Sequence, residues 1–336
     1  MTDIGPDVSI VIPLFNEEAS VPELHRRLVE TLDATGRSYE LVYVDDGSRD
    51  RTLDALLHLS DPGGVVRIIK LWSNRGQTAG LAAGFDHSRG AIIISMDGDL
   101  QHDPREIPQF LQAIDDGYDI VSGWRENRVD PFFTRKLPSR IANRCMSRMS
   151  GIRLHDFGTT FKAYRSEVIR SVVLYGQFHR FIPALVEGMT PKIKEIPIQS
   201  LPRVGGKSNY NLTRTFTVFF DLIRIHFLTR WLTRPLQIFG SVGFGLGTLG
   251  FAIALYLSIL KFSAGISIMA YRAPLFLLSI LLMLIGTQFL TLGLLGEIMV
   301  KLYHSQPQSR IYTVECELKP GDPLPRSASL NGLTDG

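Results

Sequence analysis

The stretch from Ala91 to Pro104, AIIISMDGDLQHDP, joins an apolar run to a group of carboxylates. The run of isoleucines predicts a buried strand, and the acidic residues follow it at once. Asp97 and Asp99 are two positions apart, so at the end of a strand both side chains can point to the same side. Carboxylates this close together are costly unless a cation lies between them. The stretch therefore predicts a strand whose carboxyl end binds a cation.

Further apolar runs of similar length lie on both sides of this one, with helical stretches between them. Strands are predicted at 8–13, 40–46, 65–71, 91–97 and 118–123, and helices near 20–34, 51–59, 76–89 and 104–116. Apolar runs without strict alternation, joined by crossover helices, indicate a mostly parallel sheet with both faces covered. The predicted fold class is α/β, with a Rossmann-like sheet that binds its ligand at the carboxyl ends of the strands.

Three of the predicted strands end in polar residues that suit this edge: IVIPLFNEE, VYVDDGSRD and ISMDGDLQHD. Oxygen ligands with little else nearby favour Mg²⁺ or Mn²⁺, and these ions keep water and phosphate oxygens in their shell. The expected ligand is therefore a diphosphate. Gln101 can add a carbonyl oxygen to the ion or be an exposed turn residue, and the sequence favours neither. Asp45 and Asp46 can bind a ligand or shape a turn, because Asp-Gly sequences are common in turns.

Composition excludes several classes of protein. The 336 residues carry a formal net charge of +3, which is too small for a general nucleic-acid binder. Cys145 and Cys316 are the only cysteines, so there is no disulfide framework and no four-ligand zinc site. The acidic start, MTDIGPDV, is unlike an export signal.

Two long uncharged segments lie in the last third of the sequence. The segments 236–260 and 273–296 contain no charged residue over 25 and 24 positions, and each can cross a hydrocarbon core of about 30 Å. They predict a membrane hairpin; the alternative is a pair of buried helices in a soluble protein. Lysines and arginines are more numerous outside the hairpin than in its connector, so the larger N-terminal part is expected in the cytoplasm. Glycines in both segments predict faces where helices pack closely.

The segment 211–235, NLTRTFTVFFDLIRIHFLTRWLTRP, mixes aromatic and aliphatic residues with arginines. It predicts a helix that lies in the membrane interface, although an amphipathic helix packed on the soluble part would show the same pattern. The predicted organisation is a cytoplasmic domain at 1–210, an interfacial helix at 211–235, a two-span hairpin at 236–300 and a cytoplasmic tail at 301–336. The end of this tail, from Pro320, is expected to be disordered.

Three motifs together resemble glycosyltransferase family 2. Residues 13–18 (PLFNEE), 44–50 (VDDGSRD) and 97–104 (DGDLQHDP) occur in the order and spacing of that family. The chain is more closely similar to its polyprenyl-phosphate glycosyltransferases, and the similarity extends through the membrane hairpin. The resemblance implies a GT-A type fold and metal-dependent, inverting transfer of a sugar from a nucleotide-sugar to a polyprenyl phosphate. It further implies a UDP-sugar, undecaprenyl phosphate, a bacterial inner membrane and a homo-oligomer, such as a tetramer.

The resemblance also implies roles for individual residues. The nucleotide would be bound by Pro13, Phe15, Asn16, Glu17, Asp45, Asp46 and Asp97, and the metal by Asp97, Asp99 and Gln101. The diphosphate or the lipid phosphate would be bound by Arg125, Arg135, Ser139, Arg203 and Lys207, and the catalytic set would be Asp99, Arg125, Arg135 and Ser139. Arginine suits phosphates because its planar fork engages two oxygens, although a solvated surface cation is the alternative for each basic residue. Asp99 or a neighbouring carboxylate would help to orient the nucleophile.

The sequence departs from the family pattern in two places. Gly98 stands where alanine is frequent, a change that removes no ligand. The segment 177–181, QFHRF, is similar to the Gln-x-x-Arg-Trp signature of processive polysaccharide synthases, but Phe181 replaces the tryptophan and only two spans are predicted, which argues against a polymerase. A non-catalytic assembly subunit or flippase partner is a further alternative. It is less favoured, because Asp97, Asp99 and Gln101 are all present.

Overall fold

The computed structural model of the chain describes residues 5–125, 147, 152, 154–172, 174, 179, 182–186, 191–199, 201, 235–264, 272–305 and 311–325. The chain divides into two compact units. The first comprises Met1–Val218 together with Arg310–Gly336, and the second comprises Phe219–Ser309. Each unit is described by itself below.

The first unit is built on an eight-stranded mixed sheet. Its strands are β1 (Val8–Leu14), β2 (Tyr39–Asp45), β3 (Val66–Leu71), β4 (Ile92–Ser95), β5 (Ile120–Arg125), β6 (Lys162–Arg165), β7 (Ile193–Ile198) and β8 (Val314–Leu318). They lie in the order β7-β5-β6-β4-β1-β2-β3-β8. Strands β4, β1, β2 and β3 are parallel neighbours, whereas β6 pairs antiparallel with β4 and β5, and β8 pairs antiparallel with β3. Strand β5 is therefore parallel to β4, and the mostly parallel sheet is confirmed.

Helices alternate with the first five strands. They are α1 (Val21–Asp33), α2 (Thr52–Leu57), α3 (Gln77–His87) and α4 (Ile107–Asp115), the last preceded by a 3-10 turn at Pro104–Glu106. Short helices follow at Ser166–Arg170, here α5, and at Ile182–Leu185. Helix α1 buries Leu24, Leu28 and Leu32, four residues apart, on one side of the helix. This spacing explains why the segment is a helix that packs against the sheet.

Side chains on both faces of the central strands are buried, as the apolar runs predict. Ile10, Ile12 and Leu14 of β1 belong to the core that contains the buried residues of α1, α2 and α4. The residue between the first two, Val11, faces α3, because a Cβ added to Gly84 of that helix would lie 2.1 Å from the Val11 side chain. Successive side chains of this strand therefore pack in two different apolar layers. Neither face of such a strand is exposed to solvent, so its sequence does not alternate between apolar and polar residues.

The predicted elements of the first unit match the structure up to β5. All five predicted strands and all four predicted helices are present, with ends that differ by a few residues. Strands β6, β7 and β8 are absent from the sequence-based prediction. The segment 301–336 is predicted as a tail that is disordered from Pro320, and that disorder stays a prediction. Before that point, Val314–Leu318 return to the sheet and pair with β3. This strand was not predicted, because its charged residues look solvated in the sequence but are paired with charges on β3.

The second unit contains two long apolar helices, Pro235–Ala264 and Ala273–Ser305. Both are long and apolar enough to cross a membrane, and most of their large side chains are exposed. The helices pack where glycines meet: a Cβ on Gly243 would lie 2.6 Å from the carbonyl oxygen of Gly286, and one on Gly250 would lie 2.7 Å from that of Ser279. These glycines confirm the predicted close packing. The predicted interfacial helix lies outside the described residues except for Pro235, which begins the first apolar helix.

Candidate active site

The polar ends of four strands meet at one edge of the sheet. Because β1, β2, β4 and β5 run in the same direction, their carboxyl ends lie at the same edge, with the antiparallel strand β6 between β4 and β5. The segments that leave this edge contain Phe15–Glu17, Asp45–Ser48, Asp97–Gln101 and Arg125. The structure therefore brings together four of the regions that the sequence predicts for the site.

The segment after β1 is a tight loop held by hydrogen bonds from the segment after β2. Asn16 has a φ of 55°, in the left-handed region that Asn tolerates better than most residues. Its backbone N–H donates to Ser48 Oγ at 3.1 Å, and its side-chain oxygen accepts from the N–H of Arg49 at 2.8 Å. The next N–H, of Glu17, donates to Thr52 Oγ1 at 2.8 Å. Phe15 is left 41% exposed at this edge, where an aromatic face can stack on a ligand.

The two carboxylates after β2 hold neighbouring backbone in place. Asp45 is 1% exposed, and its Oδ1 accepts from the N–H of Ser48 at 3.1 Å. Asp46 accepts from the N–H groups of Arg75 and Gly76, both at 2.8 Å, directly before α3. Burial raises the pKa of Asp46, and these two N–H groups oppose the rise. The hydrogen bonds agree with the turn-shaping alternative, and a direct role in nucleotide binding stays a prediction.

The stretch after β4 also forms a turn stabilised by its own carboxylates. Asp99 Oδ1 accepts from the N–H of Gln101 at 3.1 Å, and Leu100 between them has a φ of 61°. Asp97 Oδ1 accepts from the side-chain amide of Gln77, the first residue of α3, at 2.6 Å. Among the described residues, no three His, Cys, Asp or Glu side chains form a group that could hold a metal ion. An ion here would take most of its ligands from water and substrate.

His102 lies buried behind this turn. Its Nδ1 is 4.0 Å from Asp97 Oδ2 and accepts from the backbone N–H of Asp97 at 3.4 Å. Burial lowers the pKa of His102. The positive charge of Arg125 also lowers this pKa, whereas the negative charge of Asp97 opposes the decrease. The ring also packs on Phe161, with centroids 5.3 Å apart. His102 is therefore a buried support for the acidic turn.

Arg125, at the end of β5, is engaged by a carboxylate that the sequence analysis did not identify. Its Nε lies 2.8 Å from Asp156 Oδ2 and its Nη2 lies 3.3 Å from Asp156 Oδ1. Asp156 in turn accepts from the N–H of Gly158 at 3.0 Å. Both side chains of the pair are largely buried. This arrangement fixes the plane of the guanidinium at the edge of the sheet.

The loop that carries Asp156 is tied to two strands. Ser95 of β4 donates its hydroxyl to the carbonyl oxygen of Thr160 at 2.6 Å. The buried ammonium of Lys162, on β6, donates to the carbonyl oxygens of Phe157 and Thr159. Asp156 and Gln77 lie in no motif that the sequence analysis used, so only the packing of this loop and of α3 reveals them. His102 lies inside the quoted acidic stretch, but its burial is visible only in the structure.

The other predicted phosphate-binding residues cannot be placed. Arg135, Ser139, Arg203 and Lys207 lie outside the described residues. Their roles stay predictions.

Comparison with known proteins agrees with this geometry. The model of the family described as "Glycosyl transferase family 2" matches residues 9–173, which include every described site residue named above. A dodecaprenyl-phosphate galacturonate synthase of Rhizobium johnstonii is 41% identical over 92% of this chain and 92% of its own length. An undecaprenyl-phosphate 4-deoxy-4-formamido-L-arabinose transferase of Pseudomonas paraeruginosa is 39% identical over 88% of this chain and 86% of its own.

The chain belongs to glycosyltransferase family 2. Within the family it falls in the polyprenyl-phosphate glycosyltransferase group, and it is a glycosyltransferase. The fold is GT-A-like. A glucosyl-3-phosphoglycerate synthase from Mycobacterium tuberculosis aligns with a TM-score of 0.50 at 16% identity, over 65% of this chain and 76% of that one.

Proposed function

We propose that this glycosyltransferase transfers a sugar from a UDP-sugar to a polyprenyl phosphate, such as undecaprenyl phosphate, with inversion at the anomeric carbon. The observation that carries the proposal is the extent of the similarity to the Rhizobium johnstonii synthase, which covers 92% of both chains. A match over 312 of the 336 residues leaves 24 outside it, fewer than either apolar helix contains. The sugar is chosen by a few hydrogen bonds in the donor pocket.

The acidic turn fits a divalent cation. Asp97 and Asp99 supply hard oxygen ligands, and Gln101 can add a carbonyl oxygen, which suits Mg²⁺ or Mn²⁺ bound together with a diphosphate. When bound, the ion would neutralise the charge that develops on the leaving nucleoside diphosphate. Gln77 orients one of these carboxylates through its hydrogen bond to Asp97. The loop Phe15–Glu17 and Asp46 would hold the base and the ribose.

The acceptor requires little activation. A polyprenyl phosphate oxygen is anionic near neutral pH, so the task is to bring two negative partners together in the right geometry. Arg125 is suited to one of these phosphates, because Asp156 orients its guanidinium fork. Arg135, Ser139, Arg203 and Lys207 would supply further contacts. A single displacement at one site gives inversion.

The apolar helices explain how the enzyme would reach its acceptor. We assign them to a membrane hairpin, with the catalytic unit and both ends of the chain in the cytoplasm and the hairpin in the bacterial inner membrane. A lipid acceptor keeps its phosphate in the headgroup plane, so an anchored catalytic unit searches a small volume. The exposed apolar side chains along both helices support this assignment.

The test is lipid-dependent release of nucleoside diphosphate by the full chain in detergent. Wild type is supplied with undecaprenyl phosphate, Mn²⁺ or Mg²⁺, and a panel of UDP- and GDP-sugars that includes a uronic acid and a 4-amino sugar. Asp99→Asn should abolish release. Asp103→Asn is the matched control, because Asp103 accepts from the N–H of Arg105 at 3.0 Å at the start of a 3-10 turn, a bond that Asn can keep.

Release that needs lipid, metal and Asp99, and that persists in Asp103→Asn, would support the proposal and identify the donor. Release without added lipid, or release that is unchanged in Asp99→Asn, would contradict it.

A further inference from the structure

Strand β8 meets β3 through a β-bulge. Lys70 is paired with Cys316 and Leu71 is paired with Val314, so Glu315 is the extra residue between the two pairs. A bulge turns its extra residue away from the regular alternation of the strand, and bulges are frequent beside active sites. Here the bulge directs the carboxylate of Glu315 to the ammonium of Lys70, with Oε2 and Nζ 2.7 Å apart.

The Glu315–Lys70 pair is buried, with the two side chains 12% and 11% exposed. A buried ion pair is weak evidence for stability alone, because taking two charges out of water costs about as much as their attraction returns. The same strand offers a contrast: Glu317 pairs with Arg67 at 2.6 Å, but its side chain is 42% exposed. Two glutamates of one short strand therefore make ion pairs in very different environments.

Lys70 connects this pair to the candidate donor site. It is the register partner of Asp45 in the parallel ladder of β2 and β3, so both side chains lie on the same face of the sheet. Burial raises the pKa of Asp45, and the hydrogen bonds from Ser48 and the charge of Lys70 act against that rise. Negative, positive and negative groups thus alternate across three strands, from Glu315 to Asp45.

Asp45 in turn controls the loop after β1. It accepts from the backbone N–H of Ser48 at 3.1 Å. The Ser48 hydroxyl oxygen accepts from the N–H of Asn16 at 3.1 Å, and Asn16 has left-handed backbone. A backbone conformation of this kind persists only where its surroundings hold it. A charged Asp45 accepts this hydrogen bond more strongly than a neutral one, and a nearby cation favours the charged form of so buried a carboxyl group.

We propose that β8 contributes indirectly to the donor site. Glu315 positions Lys70, and the charge of Lys70 neutralises the buried Asp45. Asp45 in turn positions the loop Phe15–Glu17 through its hydrogen bond with Ser48. Glu315 and Lys70 are positioning residues, since they act through Asp45. The inference rests on the proposed function, in which this loop binds the nucleotide. Strand β8, which follows the two apolar helices in sequence, would thus have a role in donor binding.

The test measures UDP binding, donor KM, kcat and Tm for the full chain in detergent. The principal variant is Lys70→Met with Glu315→Gln, which removes both buried charges and so leaves no unpaired partner within the pair. We expect its UDP affinity to fall about tenfold, because a charge-assisted hydrogen-bond chain is lost. Donor KM should rise by the same factor with kcat nearly unchanged, since the loop holds the nucleotide equally in the ground and transition states. Glu317→Gln is the matched control and should bind UDP as wild type does.

A charge exchange, Lys70→Glu with Glu315→Lys, tests the sign of the charge beside Asp45. It keeps a buried pair of opposite charges but puts a carboxylate beside Asp45, so UDP binding should be lost and Tm should fall below that of wild type. Normal UDP binding by either double variant would overturn the inference and leave the proposed function intact. A wild-type enzyme that does not bind UDP would overturn the proposed function and the inference together.

Discussion

The guanidinium of Arg125 meets both carboxylate oxygens of Asp156, with Nε 2.8 Å from Oδ2 and Nη2 3.3 Å from Oδ1. The two residues are 31 positions apart, and each lies at the polar edge of the sheet. An arginine held in this way has a fixed plane, which is what two-point recognition of a phosphate needs. The pair therefore makes Arg125 a preorganised group and not a flexible surface cation.

Removing one partner of this pair should cost more stability than removing both. Asp156→Asn leaves the largely buried Arg125 charge without its carboxylate, which should lower the free energy of unfolding by about 3 kcal/mol. Arg125→Met combined with Asp156→Asn should regain most of that loss and still transfer sugar poorly. Thermal unfolding of the two single variants and the double variant measures the coupling. Equal Tm values for Asp156→Asn and wild type would contradict a buried pair of this strength.

Gln77 should influence metal binding without contacting substrate. Its amide donates to Asp97 Oδ1 at 2.6 Å, so Gln77→Leu frees a predicted metal ligand to rotate. The Mn²⁺ concentration for half-maximal activity should rise about tenfold, the usual effect of losing a residue that orients a metal ligand. Gln112→Leu is the control, because Gln112 donates to Asp116 on the exposed side of α4. A metal titration that is identical in the two variants would exclude this role for Gln77.

The glycines of the apolar hairpin should differ sharply in their tolerance of substitution. A Cβ on Gly243 would lie 2.6 Å from the carbonyl oxygen of Gly286, whereas one on Gly245 would meet nothing within 4 Å. Gly243→Ile should therefore destabilise the hairpin by about 2 kcal/mol, and Gly245→Ile should leave it nearly unchanged. The two substitutions share a helix and a side chain, so differences in helix propensity cancel. Unfolding in detergent is the measurement, and similar losses in both variants would show that the two helices pack on another face.

His25 should make the catalytic unit less stable in mild acid. It is buried in α1 and contacts the Tyr43 hydroxyl and the Ser60 carbonyl oxygen, both at 3.1 Å, and burial lowers its pKa. An unfolded histidine titrates near pH 6.5. As pH falls below that value the unfolded state takes up a proton that the folded state resists, so stability decreases.

Tm followed from pH 7.5 to 5.5 tests the role of His25. The decrease should be smaller in His25→Gln than in wild type. His58→Gln changes an exposed ring directly after α2 and should keep the wild-type slope. A slope in His25→Gln equal to that of wild type would assign the acid sensitivity to other groups.

Apolar patterning was sufficient to locate the first five strands, because each buries side chains on both faces and therefore reads as a continuous apolar run. The later strands lack that signal. Strand β6 carries a buried lysine, Lys162, which is satisfied by carbonyl oxygens and looks polar in the sequence. Strand β8 reads VECEL, and its two glutamates are explained only by Arg67 and Lys70, about 250 positions earlier. Pairing at that distance cannot be deduced from local pattern.

The candidate site, like the fold, could be predicted from the sequence only in part. The acidic turn and the loops after β1 and β2 were predictable, since polar motifs at strand ends converge once the sheet is parallel. Asp156 and Gln77 were not, because each is identified by the side chain it orients and has no motif of its own. The hydrogen bonds of Asp45 and Asp46 to backbone could not be foreseen either, since the same residues suit a ligand and a turn.

The antiparallel strand β8 has a consequence for how the protein is made. During synthesis β3 leaves the ribosome long before its partner, and Glu317 is joined to Arg67 across 250 positions of chain. Until then the edge of β3 is open, and an open edge can pair with another chain. A nascent or truncated chain that ends before β8 would contain every predicted catalytic motif and still carry an unfinished sheet. Misassembly through this edge should therefore be a hazard for every chain that is interrupted between β3 and β8.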